Sequence, residues 1–146
     1  MNSFKPIDFF IHPLPLIAVV LTAVNDHYFK YQFPGLLTGK LSDFTGLFYF
    51  PLFVCAMVVL LMRLYRKDFV FNRGLLLTAI ILTDVVFCLF KLNSGVKDLF
   101  VQWFSQYVFT IAVDSDPTDL IALSVSLLCY FFGGRFFETK TIAEQK

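Results

Sequence analysis

Apolar residues along this chain come in long blocks, and charged residues gather at the block ends. A helix that crosses a bilayer needs about 20 apolar residues at ~1.5 Å rise each. Four blocks meet or approach that length, at about 13–29, 43–64, 74–92 and 117–132. The pattern predicts an all-α integral membrane bundle of four transmembrane helices, with residues 1–146 forming a single transmembrane domain.

The connecting stretches differ in kind. Residues 30–42 read as a short polar and aromatic loop with Pro34–Gly35 as its turn. Residues 63–73, "RLYRKDFVFNR", form a tight basic link. Within 97–112, Leu99, Phe100, Trp103, Phe104, Tyr107, Val108 and Ile111 recur at helical spacing, with Gln102, Ser105 and Gln106 on the other side. That pattern predicts an interfacial helix before the last span, with Trp103 and Tyr107 at headgroup level. A fifth span is the alternative, and the two glutamines and the serine weigh against it.

Composition supports lipid as the solvent. The chain is 58% hydrophobic, carries twenty phenylalanines and is only 16% charged, against roughly 25% charged for a soluble domain. A net charge of +1 gives no field to attract nucleic acid, so none is expected as a partner. Cys55, Cys88 and Cys129 each lie within an apolar run, with no CxxC or Cys/His spacing that would hold zinc. The N-terminal apolar stretch ends in Asn25, Asp26 and His27 without a small-x-small cleavage site, and reads as a retained first span.

Charge then sets an orientation. With four spans, one side carries Lys5, Arg63, Arg66, Lys67, Arg73, Arg135, Lys140 and Lys146, and the other carries Lys30, Lys40, Lys91 and Lys97. Eight against four puts both termini in the cytoplasm. The outer side then holds a mixed-charge belt that also includes Asn25, Asp26, His27, Asp43, Asp98, Asp114, Asp116 and Asp119.

Each candidate has a plain structural role beside the functional one. If the second helix begins near Ser42, Ser42 or Asp43 caps it and Lys40 snorkels to the headgroups. The functional reading has Lys40 and Asp43 lining a pocket, helped by a kink at Pro51. In "DSDPTDL", Asp116 as N-cap, Pro117 at N1 and Asp119 at N3 is a helix-start pattern, with Asp114 and Asp119 left over for a partner. Asp84 sits near the middle of the third span, where a carboxylate costs roughly 2.5–3.5 kcal/mol on insertion scales. It is either interhelical glue or part of a site, on the same face as Lys91 and about 10 Å from it. Asp26 and Lys30 are spaced to pair at i,i+4. Asp26, His27 and Lys30 are secondary candidates. A Mg²⁺ or Ca²⁺ site from Asp43, Asp116 and Asp119 is not demanded by the spacing, and no metal or other cofactor is assigned. Hydrolase, nucleotide-binding and zinc-protease motifs are absent from the sequence.

Two motifs carry a likeness. At "GKLSDFTGLFYFPL" and "VDSDPTDLIAL" the chain resembles a group of small bacterial inner-membrane proteins that share a GKLSDF element before one span and a DPTDL element opening the last. The resemblance implies a cell inner-membrane location and the four-span plan, and carries no activity. A fainter likeness, to VanZ-like membrane proteins, lacks their arginine, glutamine and asparagine set.

The functional expectation is a binding or accessory protein. Lys40, Asp43, Asp84, Lys91, Asp116 and Asp119 would form an outward polar site for a lipid headgroup, an ion or a membrane-protein partner. The alternatives are a membrane-embedded enzyme on a lipid-linked substrate, with Asp43 or Asp119 as general base, and an ion- or proton-conducting subunit working through Asp84.

Overall fold

A computed structural model describes Asp8, residues 12–67, Phe69, and residues 71–107 and 115–144, with side chains to residue 135. Among the described residues the structure is helical, without a strand. The helices are α1 (Pro13–Val24), α2 (Leu36–Tyr65), α3 (Arg73–Leu92), α4 (Ser94–Tyr107) and α5 (Ser124–Glu144). A 3₁₀ segment, Pro117–Leu123, leads directly into α5.

Local chemistry starts each helix. His12, in extended backbone, accepts the Leu14 N–H on Nδ1 at 3.3 Å, and Pro13 follows at the first helical position. Asn72 accepts the Leu75 N–H at 2.8 Å and opens α3. Asn93 ends α3, and its side chain accepts the Val96 N–H at 3.1 Å to start α4. Asp116 caps the 3₁₀ segment through the Thr118 N–H at 2.9 Å, as "DPTD" predicts.

The first helix does not stop at Val24. It continues through a π-helical turn, Asn25–Phe29, and a short α turn, Lys30–Gln32. The Lys30 N–H reaches back to the Asn25 carbonyl, five residues earlier. A π turn holds one more residue than an α turn and shifts the face that follows it. Here it leaves Asn25 fully buried against α2, where its Nδ2 donates to the Thr38 carbonyl at 2.7 Å and to Ser42 Oγ at 2.8 Å.

The second helix corrects the sequence reading. It starts at Leu36, about two turns before Asp43, so neither Ser42 nor Asp43 is its cap. The start lies at the Pro34–Gly35 turn, where the Gly35 N–H donates to Thr38 Oγ1 at 3.1 Å. Hydropathy marks where a helix turns apolar, and helical backbone runs on beyond that edge through Leu36–Lys40. Lys40 and Asp43 therefore share one face at i,i+3. Pro51 lies buried inside the same continuous helix.

α2 is the central element. α1 packs along one side of it, while α3 and α5 pack on it and on each other. The core is small and apolar, built from Leu52, Cys55, Val59, Leu76, Ile80 and Cys129. Gly133 of α5 lets the chain approach closely there, since a Cβ at that position would meet Leu76 Cδ2 at 2.5 Å. Much of the remaining apolar surface faces outward, including Ile17, Val20, Leu61, Ile81, Val85 and Leu128. A soluble chain would not leave so much of it uncovered. α2, α3 and the stretch Pro117–Arg135 are each long and apolar enough to cross a membrane.

α4 occupies the place where an amphipathic helix is predicted. Its Phe100 ring lies tilted 4.9 Å from Phe90 of α3 and stacks 5.7 Å from Phe104. Leu99, Trp103 and Tyr107 stay exposed along another face. Val108 and Ile111 lie outside the described residues.

Candidate functional site

Polar side chains meet at the end of the bundle remote from the 66–72 link. The start of α2, the end of α3 and the start of the 3₁₀ segment lie there together, with the π turn beside them. The 3₁₀ geometry matters. With three residues per turn, Asp119 and Ala122 eclipse one another, and both are buried. The inward face of that segment thus delivers one carboxylate to the other helices.

Asp119 joins them. Its Oδ1 accepts from Lys40 Nζ at 2.5 Å and its Oδ2 from Lys91 Nζ at 2.6 Å. Lys91 also donates to Asp43 Oδ2 at 2.9 Å, and its ammonium stands 5.4 Å from the Phe87 ring centroid. Lys40 also donates to Thr118 Oγ1 at 2.6 Å and stands 3.9 Å from Asp116 Oδ2. Lys91 and Asp119 are almost fully buried, with side chains 6% and 7% exposed. Burial of either charge alone would be costly, so each requires the other. Asp116 remains at the rim. The Thr118 N–H and hydroxyl hold its carboxyl below the usual carboxylate range.

A second branch runs from the π turn. Asp26 Oδ1 accepts from Ser42 Oγ at 2.5 Å and pairs with Lys30 at 2.7 Å, the i,i+4 contact expected from the sequence. Between the branches lies a cavity of about 390 Å³. It is lined by Asp26, Lys30, Lys40, Asp43, Lys91, Asp116 and Asp119, with Gly35, Leu36, Gly39 and Ser42 completing the wall.

Of the six principal candidates, Lys40, Asp43, Lys91, Asp116 and Asp119 therefore converge, joined by Asp26 and Lys30. Asp84 does not join them. Its Oδ1 accepts from buried Ser126 of α5 at 2.7 Å, an interhelical bond. It also borders a separate apolar groove on α3 with Ile81, Val85, Cys88 and Leu89. His27 is exposed on the π turn and lines no part of the cavity. Lys97 pairs with Asp98 on α4 at 3.1 Å, and Asp114 lies outside the described residues.

Residues singled out less clearly by the sequence also matter. Ser42 links Asn25 to Asp26, Thr118 braces Lys40, and Gly39 leaves open space, with nothing within 4 Å of where its Cβ would stand. Leu36, Gly39, Lys40 and Asp43 fall at i, i+3, i+4 and i+7. That helical stripe is the signal that would have found Gly39 once the helix start was known.

The chemistry of the site is ionic. Lys91 is clasped by two carboxylates, and Asp119 by two lysines. Among the described residues no group of three or more His, Cys, Asp or Glu is arranged to hold a metal ion. No family model, curated protein or solved structure matches the chain.

Proposed function

We propose that this is a four-span inner-membrane protein, both termini cytoplasmic, that binds a small polar ligand in its outward mixed-charge cavity. Its role is binding or accessory rather than catalytic. The observation that carries the reading is the 390 Å³ cavity walled by charged side chains from four separate segments. An ion-pair lock needs no adjoining space, and a space this size admits a lipid headgroup.

The span count rests on α1 and its continuation. The α, π and α pieces of 12, 5 and 3 residues make one rod, about 30 Å long at helical rise and matched to a bilayer core. An even number of spans also keeps the basic link and both termini on one face, as the lysine and arginine bias favours. On this topology α4 lies in the outer interface, with Trp103 and Tyr107 near the headgroups.

Native mass spectrometry of the protein in mild detergent, wild type beside Asp43→Asn, tests the reading. A defined extra mass in the wild type that falls away in the variant is the expected result. A bare protein in both samples, with unchanged oligomeric state, would reduce the cluster to an ion-pair lock.

A further inference from the structure

The cavity wall holds three lysines and four aspartates, a net charge of −1. The lysines are already engaged. Lys91 is shared by Asp43 and Asp119, Lys40 is held by Asp119 and Thr118, and Lys30 pairs with Asp26. The aspartates are not used up to the same degree. The bonds described above both fall on Oδ1 of Asp26, which leaves its second oxygen. Asp116 meets Lys40 only at 3.9 Å. Every lysine of the wall thus already has a carboxylate partner, while the wall as a whole keeps a negative charge in excess.

We infer that the ligand presents a primary ammonium to this cavity, as a phosphoethanolamine headgroup or a free primary amine does. This rests on the binding reading proposed above. A primary ammonium brings a positive charge and three N–H donors, which carboxylate oxygens accept. A quaternary ammonium has none and is usually held by an aromatic cage, whereas among the described residues no aromatic ring lines this cavity. A purely anionic headgroup would bring more acceptors to a site already carrying a surplus of negative charge. Lys30, the most exposed of the three lysines with a side chain 40% exposed, stands at the rim, where it can meet the phosphate of a lipid.

The test offers the detergent-solubilised protein an equimolar mixture of lipids with phosphoethanolamine, phosphocholine and phosphoglycerol headgroups. Retained lipid is identified by native mass spectrometry, and free ethanolamine is added in a parallel arm. The expected result is retention of the phosphoethanolamine lipid over the other two by about tenfold, since only its headgroup donates charged N–H bonds to the carboxylates. Displacement of that lipid by free ethanolamine assigns recognition to the ammonium alone, and selective retention without displacement assigns it to the lipid. Gly39→Leu fills the cavity without touching a charge, so it should abolish retention while thermal stability holds. Asp26→Asn should weaken retention by about tenfold and leave the Lys91 pairs intact. Equal retention of the phosphocholine lipid, or a preference for phosphoglycerol, overturns the ammonium inference and leaves a binding site standing. No retained lipid and no response to ethanolamine overturns both readings.

Discussion

With one oxygen of Asp119 on Lys40 and the other on Lys91, a single side chain ties the last span to α2 and α3. Lys91→Met keeps much of the stem's packing but leaves Asp43 and Asp119 without their shared cation. Breaking a buried pair in this way costs about 3–5 kcal/mol, so the variant should unfold at clearly lower detergent or temperature than wild type. Asp84→Asn retains a group that can bond Ser126, and interhelical bonds of this kind average about 0.6 kcal/mol, so its unfolding midpoint should barely move. Equal, small effects in both would mean that the Lys91 pairs do not hold the bundle end. The residues of this cluster were legible in the sequence because hydropathy places them at span ends and alternating topology collects those ends on one side. Whether they touched was not legible. Nor was the placing of Asp84, because a carboxylate in an apolar run reads the same whether a neighbouring helix or a cavity satisfies it.

Elements were read less evenly than residues. α3 lies within a residue of its sequence boundary because here the apolar block and the helix end together, with Asn72 capping the start and Asn93 following the end. The start of α2 was missed because Leu36–Lys40 is helical without belonging to the apolar block. The π turn was not read from the sequence; it accompanies the burial of Asn25, whose partners Thr38 and Ser42 lie on another helix. α4 offers a direct check of its proposed interfacial position. Trp103 is the one tryptophan of the chain, so its fluorescence reports α4 alone. Quenching by lipids brominated near the headgroup should exceed quenching by lipids brominated near the chain ends. The opposite order would place α4 deep in the bilayer and favour a fifth span.

For the whole molecule, the core is thin and the exterior apolar, so packing and lipid contact share the task of stabilisation. The all-helical class follows from the hydropathy blocks with no structure in hand. The arrangement around α2 does not, because four similar apolar blocks give no rule for which is central. The proposed orientation rests on charge. In sealed inner-membrane vesicles of known sidedness, an epitope tag at either terminus should be digested only when protease reaches the cytoplasmic face. Digestion of one terminus from each face would require an odd number of spans and would remove the two-sided charge bias.

The Asp119 bridge also imposes an order on biogenesis. Lys91 leaves the ribosome 28 residues ahead of Asp119, when Asp43 is the only carboxylate of its pair already made. A nascent chain that has reached the end of α3 thus holds Lys40 and Lys91 against Asp43 alone, an excess of positive charge at the end of the α2–α3 hairpin. Asp119, arriving with the last helix, offsets that excess and latches the hairpin in one event. Sequence order is then the order of charge neutralisation, and the C-terminal span is the keystone of assembly.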